Sequence, residues 1–145
     1  MDVPVVWENR VRFEETDMQG VVFYANYVTF QDETFSAFLR AVGYSYEDVE
    51  DAGWDVHVVN VDMDYRGQAT FADDLVHGYR IERIGESSMT GEYVARHADD
   101  EDLLAEGTVT HVAVDGETGD PTRIPDAFRE AVVAFQETPP DQPEE

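Results

Sequence analysis

Residues 26–42 repeat apolar side chains with the period of an α-helix, and these side chains cover almost the whole circumference of the predicted helix. Phe30 and Phe38 fall on one face, and Leu39 falls on another. The polar positions form one narrow stripe of Thr29, Glu33, Ser36 and Arg40. A helix that is apolar nearly all round must be enclosed by other structure. The rest of the chain therefore has to wrap around this segment, which Gly43 ends.

The segments on either side of this helix alternate apolar and polar residues, which is typical of strands with one buried face. One strand is predicted before the helix, over 5–13, and four after it, over 56–65, 75–84, 88–97 and 103–114. An acidic link is predicted over 47–53 and a short amphipathic helix over 125–136. The fold class is α+β, with an antiparallel sheet of about five strands curled around one long central helix and a short C-terminal helix. The open edges of such a sheet favour homo-oligomerisation.

The length of 145 residues suits one domain, because domains typically hold roughly 100–200 residues. We assign residues 1–137 to this single domain. Residues 138–145 contain three prolines and several acids, so we expect a disordered tail there. The sequence shows no basic segment followed by an apolar run, so we predict neither a secretory signal nor a membrane span.

The charge is extreme, because nine arginines, no lysine and 33 acidic residues give a net charge of −24 at pH 7. Such a surface repels nucleic-acid phosphates, which argues against nucleic acid as a partner. The negative charges also repel one another in dilute salt, and molar salt screens this repulsion. We therefore predict a halophilic protein of a salt-accumulating cytoplasm, with an ordinary acidic protein as the alternative. Cysteine is absent, which excludes disulfides and a cysteine nucleophile and fits a cytoplasmic location.

The segment between the first strand and the long helix contains the run E-x-T-D-x-x-G-V-V-x-Y-x-N-Y over residues 14–27. Asp17 lies in a turn shortly before the helix start, where backbone N–H groups have no partner within the helix. Such donors and the helix dipole can hold a developing oxyanion, and a nearby carboxylate can attack a carbonyl carbon or deprotonate water. Alternatively, Asp17 caps the helix or stabilises the turn, which are common roles of aspartate.

This run resembles the corresponding segment of the hotdog-fold acyl-CoA thioesterases, specifically of the hydroxybenzoyl-CoA thioesterase-like group. The matching residues are Thr16, Asp17, Gly20, Val21, Val22, Ala25, Asn26, Tyr27 and Phe30. The runs DYRGQATFADDL (64–75) and GETGDPTRIP (116–125) are also similar to the family. The resemblance covers almost the whole chain, and the hotdog fold that it implies agrees with the element order predicted above.

The resemblance implies hydrolysis of an acyl-CoA to a free carboxylic acid and coenzyme A, without a metal or redox cofactor. Asp17 corresponds to the family's catalytic carboxylate, as nucleophile or general base, and the backbone N–H of Tyr24 corresponds to the oxyanion donor. The resemblance also implies a homodimer or homotetramer, with a continuous sheet across the interface and active sites between subunits. We expect substrate contacts from Gly20, Val21, Phe23, Asn26, Tyr27 and Tyr65.

The chain departs from the group at two positions. Residue 24 is Tyr where several members carry His, and a phenol is a poor base at neutral pH. Asp32 takes the place of a helix glutamate, so Asp32 and the adjacent Glu33 stay as minor catalytic candidates beside a polar or interface role.

Other residues leave alternatives open. Four arginines could contact the phosphates of coenzyme A or form surface ion pairs: Arg66, Arg80, Arg83 and Arg96. The four histidines are spread one to a strand without metal-binding spacing, so we predict no metal site. A non-catalytic acyl-CoA-binding or regulatory hotdog protein is the alternative function. A hydratase acting on enoyl thioesters would need a histidine in the helix region, and residues 1–55 contain none.

Overall fold

The predicted long helix, α1 (Asn26–Val42), has the predicted bounds in the computed structural model, which describes residues 3–143. It ends because Gly43 takes a left-handed conformation with φ of 81°, which a residue without a Cβ adopts at little cost. The Gly43 N–H donates to the Arg40 carbonyl at 3.1 Å, so the last turn closes on itself.

One antiparallel sheet holds all the long strands of the described residues, in the spatial order β1-β3-β4-β5-β2. The strands are β1 (Val5–Arg10), β2 (Trp54–Tyr65), β3 (Asp74–Ile84), β4 (Ser88–His97) and β5 (Leu103–Asp115). Two shorter helices complete the fold: α2 (Tyr46–Asp51) and α3 (Asp126–Phe135). The architecture confirms the predicted α+β class and the hotdog fold. β1 and β2 form the two edges of the sheet.

The sheet and α3 cover one broad face of α1, whereas six of its seventeen residues are exposed, so the helix is less enclosed than the sequence predicts. The Phe38 ring lies 5.0 Å from that of Tyr79 in β3, and the Phe35 ring stacks 4.1 Å from that of His111 in β5. From the other side, the Phe135 ring of α3 lies 5.8 Å from that of Phe38. Full burial of a large apolar side chain stabilises a fold by roughly 1.5–3 kcal/mol, so this core is centred on α1. Although α1 is largely apolar, no helix within residues 3–143 is long and apolar enough to cross a membrane.

The first strand is shorter than the sequence predicts. It ends at Arg10, and Phe13 begins a 3-10 turn (Phe13–Glu15) in which its side chain is 77% exposed. The Glu15 carboxylate accepts the Arg12 N–H at 2.7 Å and pairs with the Arg12 guanidinium at 3.1 Å. The chain leaves the sheet here because the Arg12 N–H and guanidinium find their partner within the turn, in the Glu15 carboxylate.

The acidic link contains a helix that the sequence analysis missed. Ser45 precedes α2, and its hydroxyl accepts the Asp48 N–H while the Asp48 carboxylate accepts the Ser45 N–H at 2.8 Å. Glu47 and Asp48 also place negative charge at the helix N-terminus, where the helix dipole favours it. The spacing of Ser45 and Asp48 was the sequence signal for this helix.

The tail runs beside β3 as far as the structure describes it. The Ile84 N–H donates to the Asp141 carbonyl at 2.8 Å, and the Asp141 N–H donates to the Glu82 carbonyl at 2.9 Å. Pro140 is buried. These contacts place residues 140 and 141 beside β3. The disordered tail expected over 138–145 stays a prediction, and residues 144 and 145 lie outside the described part.

Candidate functional site

Asp17 lies in a tight turn between β1 and α1. Its N–H donates to the Val21 carbonyl at 2.9 Å, and its carbonyl accepts the Gly20 N–H at 2.9 Å. Gly20 has a φ of 80°, which favours glycine. The Asp17 Oδ1 atom accepts the Gln19 N–H at 2.8 Å, so the side chain does stabilise its own turn. Its Oδ2 atom has no hydrogen-bond partner within residues 3–143, so one carboxylate oxygen stays available for chemistry.

The Glu15 carbonyl ties this turn to the start of α1. It accepts the Phe23 N–H at 2.9 Å and the side-chain amide Nδ2 of Asn26 at 2.9 Å. Because Asn26 is the first residue of α1, its amide fixes the helix start relative to the turn that carries Asp17. The structure therefore gives Asn26 a positioning contact.

Two backbone donors at the start of α1 have no acceptor within residues 3–143. The N–H groups of Asn26 and Tyr27 donate to the carbonyls of Phe23 and Tyr24 at 2.8 and 3.2 Å. By contrast, the N–H groups of Tyr24 and Ala25 meet no acceptor among the residues that the structure describes. Free donors at a helix N-terminus favour negative charge, because the helix dipole points its positive end there. The resemblance named one of these two, the Tyr24 N–H, as the oxyanion donor.

A cleft of about 390 Å³ opens beside Asp17. The turn before α1 forms one wall, and residues 66–68, which follow β2, form another. The two walls are held together because the Val22 N–H donates to the Ala69 carbonyl at 2.8 Å. Asp17 and Tyr24, the residue at the helix start whose N–H has no acceptor among the described residues, both line this cleft.

The predicted site residues divide into two groups. Those that line the cleft are Asp17, Val21, Tyr24, Tyr27 and Tyr65. The others lie beside the cleft: the Phe23 ring is 4.8 Å from that of Tyr24, Gly20 shapes the turn, and Asn26 is bound to the Glu15 carbonyl. The assigned substrate contacts of both groups stay predictions.

Several lining residues were missed from the sequence. Gln19, Val22, Gly67 and Gln68 line the cleft without having been named as site residues. The order of the strands brings the segment after β2 opposite the turn before α1, although more than 40 residues separate the two in the chain. The similarity of the DYRGQ run to the family was the one sequence signal for this wall.

Tyrosines form the aromatic part of the cleft. The Tyr65 ring lies 6.0 Å from that of Tyr24 and 5.7 Å from that of Tyr27. Burial raises the pKa of Tyr27 to about 12, and burial also raises the pKa of Tyr65. Both hydroxyls are therefore neutral at pH 7 and can bind through hydrogen bonds but do not serve as bases. The Tyr27 hydroxyl is buried without a partner in residues 3–143.

The histidines lie outside this cleft. His77 is buried, and its Nε2 lies 2.6 Å from Asn9 Oδ1 while its Nδ1 lies 2.8 Å from the Tyr93 hydroxyl. Burial lowers the pKa of His77 to about 3, so this ring is neutral and joins strands rather than transferring protons at pH 7. No group of three or more His, Cys, Asp or Glu side chains within the described residues is placed to hold a metal ion.

Comparison with known proteins gives consistent matches over most of the chain. The family model of the thioesterase-like superfamily matches residues 11–132. A candidate esterase of Aquifex aeolicus is 31% identical over 93 residues, which cover 63% of this chain and 72% of that protein. A candidate acyl-CoA thioesterase of Bacillus subtilis is 27% identical over 130 residues, covering 89% and 93%. A solved gentisyl-coenzyme A thioesterase has a TM-score of 0.78 at 25% identity, covering 88% of this chain and 99% of that one.

Replacing Gly20 by Ala tests whether the left-handed turn positions Asp17. An added Cβ meets no atom within 4 Å, so the cost is conformational, and we expect the free energy of unfolding to fall by about 1–2 kcal/mol in urea titrations. Gly119→Ala is the matched control, because Gly119 has a φ of 77° and equally open surroundings. Only Gly20→Ala should speed amide hydrogen exchange over residues 16–22. Equal exchange in the two variants would contradict the role of this turn.

Proposed function

The chain belongs to the thioesterase-like superfamily, and from this membership we propose that it hydrolyses an acyl-CoA to a free carboxylic acid and coenzyme A. A thioester hydrolase needs a group that delivers oxygen to the acyl carbon and donors that stabilise the resulting oxyanion. One observation carries the proposal. The free Oδ2 of Asp17 and the free N–H of Tyr24 belong to residues that line the same cleft.

In this mechanism, the thioester carbonyl oxygen points to the Tyr24 N–H, and its carbon faces the Asp17 carboxylate. Asp17 either attacks this carbon or removes a proton from a water molecule that attacks it. The carbon–sulfur bond then breaks, and coenzyme A leaves as a thiolate that takes up a proton from the protonated Asp17 or from water. Where Asp17 itself attacked the carbon, a water molecule then hydrolyses the resulting mixed anhydride, which releases the carboxylic acid and regenerates the Asp17 carboxylate. Loss of one oxyanion donor typically costs roughly 10²–10³ in rate, so the backbone geometry at the helix start is essential.

The acyl group is expected against the aromatic side of the cleft. Tyr24, Tyr27 and Tyr65 offer flat apolar surfaces there, and such surfaces bind aromatic and aliphatic groups alike. The neutral hydroxyl of Tyr27 is a hydrogen-bond donor without an acceptor among the described residues. These features support Val21 and the tyrosines as the acyl-binding wall.

The exposed edge of the sheet supports a homodimer. β2 pairs only with β5 within the described chain, and its exposed apolar side chains are Val58, Val59, Val61 and Tyr65. Next to it, a groove of about 390 Å³ between β2 and α1 has Phe35 and Val58 in its lining. An uncovered apolar edge strand is a template for pairing with a second chain. Tyr65 belongs to β2 and also lines the cleft, so an interface between the β2 strands of two copies would border the site. A tetramer would need a second interface elsewhere on the surface.

The acidic surface supports adaptation to high salt in a salt-accumulating cytoplasm. The nine arginines cannot neutralise 33 acidic residues, and several of them are already paired. Arg10, for example, binds Asp74 at 2.8 Å, and Arg123 lies 2.9 Å from Glu86. The excess carboxylates repel one another, and screening by molar salt weakens this repulsion.

The thermal midpoint of the protein should rise as KCl increases from dilute to molar concentration, because the folded state concentrates negative charge more than the unfolded chain does. Differential scanning calorimetry measures this midpoint. Sucrose at matched water activity serves as the uncharged control and should stabilise the protein less. A midpoint that stays flat or falls with KCl would contradict salt adaptation.

Replacing Val58 by Asp should convert a dimer into a monomer, since a charge on the β2 edge opposes pairing with a second copy. Val58 is 50% exposed, and Val133 in α3, which is 41% exposed, provides the matched control. Light scattering after gel filtration in molar KCl should show a dimer for the wild type and for Val133→Asp. A monomeric wild type, or an unchanged mass for Val58→Asp, would refute the β2 interface.

Replacing Asp17 by Asn keeps the acceptor for the Gln19 N–H but removes the reactive carboxylate. We expect thiol release from an acyl-CoA panel in molar KCl to fall about 10²–10⁴-fold in kcat, with thermal stability nearly unchanged. Asp32→Asn, on α1 and outside the cleft, tests the minor candidate. Loss of turnover in Asp32→Asn with normal rates in Asp17→Asn would overturn the assignment. Binding of acyl-CoA without any turnover by the wild type would favour the non-catalytic alternative.

A further inference from the structure

The proposed substrate presents an electrostatic problem to this protein. Coenzyme A carries several negatively charged phosphate groups, and some acyl groups carry a carboxylate as well. A protein with a net charge of −24 repels such a molecule at long range. A cation at the cleft that binds an anionic oxygen group directly offsets this repulsion.

Arg66 is the one arginine that lines the cleft beside Asp17 among the residues that the structure describes. Its backbone is fixed, because the N–H groups of Arg66 and Gly67 both donate to the Leu104 carbonyl, at 2.8 and 3.2 Å. The side chain is 53% exposed and starts directly after Tyr65 at the end of β2. A fixed backbone with an exposed head can present the guanidinium to a ligand in the cleft.

The existing ion pairs of Arg66 leave it able to exchange partners. Its Nε atom lies 3.1 Å from Glu106 Oε2, and its Nη2 atom lies 3.6 Å from Asp64 Oδ2. Both carboxylates are exposed, at 44% and 61%, and exposed pairs contribute only about 0.2–1 kcal/mol. The planar guanidinium can form paired hydrogen bonds with a phosphate or a carboxylate, and such charge-assisted bonds are stronger than ordinary ones.

The other arginines named from the sequence do not line the cleft. Arg80 is buried and pairs with Glu92 at 2.9 Å. Arg96 donates to the Glu101 carbonyl at 3.0 Å. Arg83 lies near the far end of β3, where its backbone forms a β-bridge with Asp141. None of these three lines the cleft, so the described structure singles out Arg66.

Building on the proposed function, we propose that Arg66 determines substrate affinity by binding an anionic oxygen group of the thioester. Two parts of the substrate can supply this group: a phosphate of the coenzyme A moiety or a carboxylate on the acyl chain. On binding, the guanidinium exchanges its weak contacts with Glu106 and Asp64 for the substrate oxygens. Arg66 thus acts on binding and not on bond cleavage, and its loss raises KM while kcat stays near the wild-type value.

The test compares Arg66→Gln, Arg66→Lys and the matched control Arg123→Gln. Arg123 is 51% exposed and also contacts two carboxylates, so its replacement removes the same charge at a site remote from the cleft. Each variant is assayed with four thioesters: butyryl and succinyl groups, each carried on coenzyme A and on pantetheine, which lacks phosphate. The assays use the lowest KCl concentration at which every variant stays folded by circular dichroism.

We expect Arg66→Gln to raise KM about three- to tenfold for thioesters that carry the recognised anion, and Arg66→Lys to restore part of the affinity. If a phosphate is recognised, the effect appears with both coenzyme A esters and vanishes with both pantetheine esters. If the acyl carboxylate is recognised, the increase in KM appears with both succinyl thioesters, on coenzyme A and on pantetheine, and with neither butyryl thioester. The increase in KM should become smaller as the KCl concentration rises, because salt screens the interaction between charges. Equal effects on all four thioesters, or equal effects of Arg66→Gln and Arg123→Gln, would overturn the role of Arg66.

Failure of the proposed function gives a different result. If the wild type hydrolyses none of the four thioesters, the hydrolase proposal fails irrespective of Arg66. Calorimetric titration with coenzyme A and with succinyl-pantetheine then still tests the binding role. Weaker binding of either one by Arg66→Gln than by Arg123→Gln would support that role, and equal binding of both compounds would refute it.

Discussion

The burial of one broad face of α1 is the constraint from which the rest of this structure follows. Phe35 and Phe38 pack against the sheet, and α3 covers the helix from outside through Phe135. To cover this face, the chain leaves β1 and enters α1 through the connection 11–25. That connection places Asp17 in the lining of the same cleft as Tyr24, whose N–H meets no acceptor among the described residues. The chemistry proposed for Asp17 thus depends on how the core is closed.

Local sequence signals predicted the elements that depend on local interactions. α1 was predicted with its observed bounds because its own periodicity defines it and Gly43 ends it. β4 was also predicted correctly, since turn residues flank its alternating pattern. The predicted end of β1 was wrong, because the Glu15 carboxylate closes a turn that the alternation of apolar and polar residues does not indicate. α2 was missed because its acidic residues suggested a solvated link, although Ser45 and Asp48 cap a helix there.

The site shows the same difference between residues that a local sequence pattern predicts and residues that only the fold brings together. Asp17 and Tyr24 are seven residues apart in the chain, so a single motif could bring both to notice. The wall formed by residues 66–68 follows from the strand order, which puts the end of β2 opposite the turn before α1. No local sequence pattern predicts that residues 66–68 lie opposite this turn. The role of Asn26 was also hidden, because a side-chain bond to the Glu15 carbonyl depends on the shape of the turn.

The central claim is that Asp17 and the Tyr24 N–H act on the same carbonyl group. A crystal structure with an acyl-CoA analogue in which a methylene group replaces the sulfur tests it most directly, since the ketone keeps the carbonyl but cannot be cleaved. We predict the carbonyl carbon within about 3–3.5 Å of an Asp17 carboxylate oxygen. We predict its oxygen about 2.7–3.1 Å from the Tyr24 nitrogen. A ketone bound in the groove beside Asp32, or with its carbonyl turned away from Asp17, would contradict the account.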